Sequence, residues 1–288
     1  MLSTLIAAQD ALARLEAEAA LAPPTLREGL GARLAVREAA GWLAHHGSWV
    51  HPVDLALREA GVTGSYTAAE LGMRLPSVAP ATLAEGVALD LPEDRDVAAA
   101  LGHARSWRRL AALPGWSPEG MALPEPGDPA LLAAARIIAG AAEGARSDRL
   151  SAAAALRGAW VWRQRGGTGD PGLPFWSAPV AMLHRLALAP DEVGVLAAIA
   201  EAATAARREL VRLRAAAARP LPGRGKLEAA RAEALRRPVL TGRMLAAALG
   251  ISQRGALDLI GRMAAGGLLR EATGRRAWRA FIIADGVR

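Results

Sequence analysis

The chain has 288 residues, of which 52% are hydrophobic and 22% charged, a balance that excludes a disordered chain and leaves room for two cores. The absence of cysteine excludes disulfides, thiolate nucleophiles and cysteine-bound metal, and fits a reducing cytoplasm. The net charge of +7 is unevenly spread: residues 219–288 carry 14 lysines and arginines against 5 acids, and residues 1–218 carry 21 against 23, so a polyanionic partner is expected for the C-terminal end alone.

Taken in chain order, apolar residues at three- and four-residue spacing predict helices over residues 5–21 and 27–46, separated by Pro23 and Pro24. Shorter helices are expected over 52–60, ending at Gly61, and over 67–71. Residues 75–92 hold three prolines and no period, and read as loop. Helix resumes over 95–113 and stops before Pro114, and 114–128 is a second loop. A helix over 129–143 is expected to open with Asp128 as N-cap and Pro129 in its first turn. Another covers 151–164, a Gly/Pro-rich bend covers 166–174, and a further helix covers 176–188. Residues 191–218 make one long helix whose second half carries Arg207, Arg208, Arg212 and Arg214, either a solvated face or an added set of phosphate contacts.

Two prolines and two glycines in residues 219–225 mark a linker. The chain is therefore expected to divide into a helical domain over 1–218 and a second module over 226–288. In that module a helix over 226–237 is stopped by Pro238. Thr241 caps a helix over 242–249 that ends at Gly250, and Ser252 caps a third over 253–265, ending at Gly266 and Gly267. The short gap between the last two predicts a helix-turn-helix. Leu245, Ala246 and Leu249 face inward on one, and Ala256, Leu259, Ile260 and Met263 on the other. Strands over 268–273 and 277–284 follow, joined by Gly274, Arg275 and Arg276. The fold class expected is all-α: a multi-helix domain followed by a winged helix-turn-helix with a small β-hairpin.

Duplex DNA is the expected partner. Gln253, Arg254, Asp258 and Arg262 point outward on the third helix, suited to base edges in the major groove, with Ser252 at its positive N-terminal end. Arg275 and Arg276 at the hairpin tip, Arg279 on the following strand and Arg243 at the start of the second helix are expected on the phosphate backbone. A homodimer on paired half-sites is the expected assembly. The competing reading is an interaction or assembly protein that uses the winged helix as a scaffold.

Residues 54–69 (DLALREAGVTGSYTAA), 173–179 (LPFWSAP) and 270–279 (REATGRRAWR) resemble an uncharacterised bacterial family, often carried on plasmids. That family joins a helical domain of unknown function to a C-terminal helix-turn-helix DNA-binding domain. The resemblance runs from about residue 25 to the end; it implies DNA binding for the C-terminal module and supplies no catalytic residue, and the function expected is that of a transcriptional or plasmid-maintenance regulator. The chain also resembles, more weakly, Fic-type adenylyltransferases, whose hallmark is a His-Pro-Phe…Gly-Asn-Gly-Arg loop. Residues 160–174 (WVWRQRGGTGDPGLP) stand in its place with neither the histidine nor the Gly-Asn-Gly-Arg, so no enzyme is expected.

Other candidates have plainer readings. His45, His46 and His51 with Asp54 have spacing that could hold a metal, but no second motif completes the shell, and a histidine pair at a helix C-terminus explains two of them. His103 and His184 stand alone on helical patterns. Gly166, Gly167 and Gly169 lack the Gly-Lys-Ser/Thr ending of a phosphate loop, and the acids Glu93, Asp94 and Asp96 suit a helix start. Trp160, Trp162 and Trp176 could line a pocket, with core packing the default. No metal and no cofactor are expected. No secretory signal and no spanning helix are expected either, which places the protein in the cytoplasm.

Overall fold

A computed structural model of the chain describes residues 1–45, 50–62, 64–70, 98–102, 105–106, 127–144, 152–166, 191–221, 225–274 and 279–284. Helix α1 (Leu2–Ala20) and helix α2 (Pro24–His45) meet at the two prolines. Pro24 opens α2, a position whose N–H has no helical partner in any residue. Helix α3 (Pro52–Glu59) and helix α4 (Tyr66–Glu70) follow, then α5 (Ala130–Gly144), α6 (Ala152–Gly166) and the long α7 (Glu192–Ala218). Asp191 caps α7 by accepting the Gly194 N–H at 2.7 Å.

The expected helix over 95–113 is seen as helical residues at 98–102 and 105–106. The loop over 75–92, the acids at 93–96, most of the loop over 114–128 and the helix over 176–188 lie outside the described residues, as do His46, His103, His184 and Trp176. Asp128, expected as a cap, turns its carboxylate to Arg136, which also holds Glu192 at 2.8 Å.

Helices α1 and α7 pack along their length through Leu5, Ala8, Leu12 and Leu15 on one side and Ile199, Ala203, Ala206 and Leu210 on the other, all buried. The alanines let the two axes approach closely. Three of the four arginines in the second half of α7 are engaged within this body: Arg207 donates to Glu18, Arg214 donates to the Glu18 carbonyl at 2.7 Å, and Arg212 donates to Glu209 at 2.8 Å. Only Arg208, 3.7 Å from Glu201, lies on an open surface. Arg207 and Arg214 therefore hold α1, Arg212 pairs within its own helix, and Arg208 alone of the four is largely exposed. In the α5–α6 pair a Cβ on Gly158 would come within 2.9 Å of Ile138, so glycine sets that spacing, and Trp160 is buried beside it.

The C-terminal elements are α8 (Lys226–Arg236), β1 (Leu240–Thr241), α9 (Gly242–Leu249), α10 (Gln253–Ala265), β2 (Leu269–Glu271) and β3 (Ala280–Ile283). The three strands form one antiparallel sheet in the order β1-β3-β2, pairing Leu240 with Phe281 and Arg270 with Ile282. The fold is thus helical apart from one small sheet, and β1 adds a third strand to the expected hairpin. Among the described residues no helix is long and apolar enough to cross a membrane.

Two contacts tie these elements to the preceding helices. Arg33 of α2, only 6% exposed, donates to the carbonyls of Leu235 at 2.7 Å and Arg237 at 2.7 Å, closing the C-terminal end of α8. Its Nε lies 3.5 Å from the buried Glu209 of α7. At the other contact Asp54 of α3 accepts the N–H groups of Tyr66 and Thr67 at 2.5 and 3.2 Å and so caps α4. Tyr66 and Glu70 of α4 then receive Arg270 of β2, at 2.6 and 2.5 Å. One cluster of buried residues runs from Leu5 to Ile283 through both contacts. In the linker expected over 219–225, Arg219 donates to the Gly267 carbonyl, and residues 222–224 lie outside the described residues.

Candidate nucleic-acid interface

The local chemistry of residues 241–253 makes a tight bend between two helices. The Thr241 hydroxyl accepts the Met244 N–H at 3.1 Å and starts α9. Gly250 ends it in the left-handed region, at φ 58°, which costs a glycine no clash between Cβ and backbone. Two residues later the Ser252 hydroxyl accepts the Gly255 N–H at 3.2 Å and starts α10. Leu245 of α9 and Ala256, Leu259, Ile260 and Met263 of α10 are buried, and Ala256 is small where the helices cross. Ala246 and Leu249 are half-buried against the same core.

Burying that face turns the other one outward. Gln253, Arg254, Asp258 and Arg262 are all exposed. Ser252 is exposed too, with its hydroxyl committed to the cap. Arg243 stands exposed in the first turn of α9. Among the described residues no carboxylate lies within ion-pair distance of Arg243 or Arg254, so their charge is available to a ligand. Sequence reasoning passed over one residue of this face, Leu257, which is 46% exposed between the polar groups. Its signal was its place one helical turn after Gln253.

The remaining basic residues are differently placed. Arg279, expected on phosphate, is exposed but pairs with Glu271 across the sheet at 2.6 Å, and its guanidinium lies 5.2 Å from the centre of the Phe281 ring. Arg236 and Arg237 share Glu233 at 2.9 Å, and Arg236 also reaches Glu28 at 2.9 Å. Burial raises the Glu233 carboxyl, but hydrogen bonds from Arg237 and Arg236 outweigh it and hold the group below its usual range. Arg275 and Arg276 lie outside the described residues.

The histidine cluster resolves into structural tasks where it is described. The His51 Nδ1 accepts the Val53 N–H at 3.1 Å to cap α3, and its ring stacks on Tyr66 at 4.5 Å. Burial lowers its pKa, keeping Nδ1 free to accept. Asp54, its sequence neighbour, is occupied by α4.

No curated protein matches the chain. Residues 233–283, from the end of α8 to the end of β3, match the model of a family described as the HTH DNA binding domain. The geometry and the match coincide on the same two helices, and the chain carries there a C-terminal helix-turn-helix domain of the DNA-binding type.

Proposed function

We propose that this protein is a sequence-specific reader of duplex DNA, a cytoplasmic regulator of transcription or of plasmid maintenance rather than an enzyme. The observation that carries the reading is the exposed face of α10, with Gln253, Arg254, Asp258 and Arg262 aligned on the helix that the family match covers. In this reading α10 lies in the major groove. Gln253 and Arg254 have the donor patterns that suit adenine and guanine edges, and the capped N-terminus at Ser252 faces a phosphate. The helix, strand, helix, helix, strand, strand order supports a winged-helix form. Arg243 contacts the backbone in this reading, the role the sequence also gives to Arg275 and Arg276, while Arg279 braces β3 against β2 through Glu271. Two copies on paired half-sites match the common habit of such readers.

The test is a fluorescence titration of the full chain against labelled duplexes from a randomised pool, at several salt concentrations. The logarithm of affinity should fall linearly with the logarithm of salt, and two chains should saturate each selected duplex. Arg243→Ala should weaken binding to all sequences and make the slope shallower by about 0.9 for the lost phosphate. Gln253→Ala or Arg254→Ala should instead relax specificity, by about 1–3 kcal/mol at one base pair. An unchanged slope for Arg243→Ala removes it from the interface. No binding at low salt returns the domain to a protein scaffold.

A further inference from the structure

Leu257 is an anomaly in the outer face of α10. The inner face takes the other large apolar residues of the helix, Leu259, Ile260 and Met263, into the core. Leu257 is left 46% exposed among Gln253, Arg254 and Asp258. Its side chain is nevertheless seated. A Cβ on Gly242, at the start of α9, would come within 2.9 Å of Leu257 Cδ2 and 4.0 Å of Gln253 Cγ. The glycine thus leaves a shallow seat against which Gln253 and Leu257 lie side by side, one turn apart. One turn further on, Gly261 is exposed, and nothing lies within 4 Å of the Cβ it lacks. The stripe from 253 to 261 therefore presents an amide, then two methyl groups, then bare backbone.

We infer that Leu257 is a specificity-determining residue that receives the C5-methyl of a thymine in the major groove. The inference rests on the DNA-reading proposal and names one base within it. The chemistry of the stripe selects this occupant. A thymine methyl is the one apolar group on a base edge in the major groove, and an amide at hydrogen-bonding reach of adenine N6 and N7 is its natural neighbour, because the two bases pair. Arg254 and Arg243 flank the stripe with cations, which suits a polyanion and not an apolar protein surface. The seat on Gly242 holds the leucine in place before binding, so little side-chain freedom is lost on contact. Bare backbone at Gly261 lets the helix sit close to the groove floor.

The experiment uses duplexes that the full chain selects from a randomised pool, remade with deoxyuridine for one thymidine at a time. Uracil lacks only the methyl group. At one position the wild-type chain should bind the thymine duplex about fourfold more tightly than its uracil twin, the value of one buried methyl. Leu257→Ala should bind both twins equally, and Leu257→Met, which keeps an apolar contact, should retain the preference. Melting curves of both variants check that α10 is intact. If no position distinguishes thymine from uracil in the wild type, or if Leu257→Ala keeps the ratio, the leucine does not read the methyl although the protein still reads DNA. If no duplex is bound at all, the DNA-reading proposal falls and takes this inference with it.

Discussion

Arg33 is the residue on which most of the molecule converges. Burial pushes its guanidinium down to about 10, and Glu209 opposes that shift, so the charge persists at neutral pH. It gives its donors to the carbonyls of Gly29, Leu235 and Arg237. A lone buried cation would cost several kcal/mol, and the carbonyls with Glu209 offset that penalty. Burial also raises Glu209, but Arg37, Arg212 and Arg33 together hold it below the usual 4.5. A depressed carboxyl stabilises the folded state above its unfolded pKa, and the contribution is lost as pH falls through the folded value. Glu209→Gln should therefore be about 3–5 kcal/mol less stable than wild type at pH 7. The difference in urea unfolding should shrink as pH drops below about 4.5. A gap that stays constant into acid would remove Glu209 from this role.

Gly29 belongs to the same contact. In an ordinary helix interior, Gly→Ala gains about 1 kcal/mol from propensity. Here the new Cβ would fall inside the van der Waals surface of the Leu235 carbonyl oxygen, a backbone atom already held by Arg33. The clash outweighs propensity, so Gly29→Ala should destabilise by about 1–3 kcal/mol in thermal melting. A stabilised variant would show that α8 moves freely over α2.

At the scale of elements, what the sequence made legible is what is local. Thr241, Gly250 and Ser252 each act on backbone groups within a few residues, so their identity and spacing predicted both helices and the bend between them. The inward set of α10 followed from period alone, and all four of Ala256, Leu259, Ile260 and Met263 are buried. Strand β1 was not legible, because two residues carry no alternation and Leu240 becomes a strand only by pairing with Phe281. Arg207 and Arg214 of α7 were not legible for the same reason: their partner Glu18 is nearly two hundred residues away. Charge was misleading in a specific way. Counting within residues 219–288 leaves out Glu28 and Glu70, which the fold brings to Arg236 and Arg270. Among the described residues the cations open to a ligand are therefore fewer than the sequence excess.

For the whole molecule, one cluster of buried residues runs through the helical body and the C-terminal elements alike. Leu227, Ala230 and Ala234 of α8 are buried, and α8 packs on α2 as well as on α9 and α10. Unfolding should then be cooperative across the chain. Seven of the eight tryptophans lie in residues 1–218, so fluorescence reports that part while far-UV circular dichroism reports every helix. The two urea curves should superimpose. Separated midpoints would establish two independently stable bodies.

The link from Asp54 through α4 to Arg270 anchors the first strand of the β2–β3 pair to the helical body. Thr273 and Gly274, where that strand leaves the sheet, lie against Gly64 and Ala69. On the DNA-reading proposal, a strand β2 so fixed does not swing to follow a curved duplex. The cost of adaptation would then fall on the nucleic acid, and flexible or already bent sequences should gain affinity at base pairs that no side chain touches.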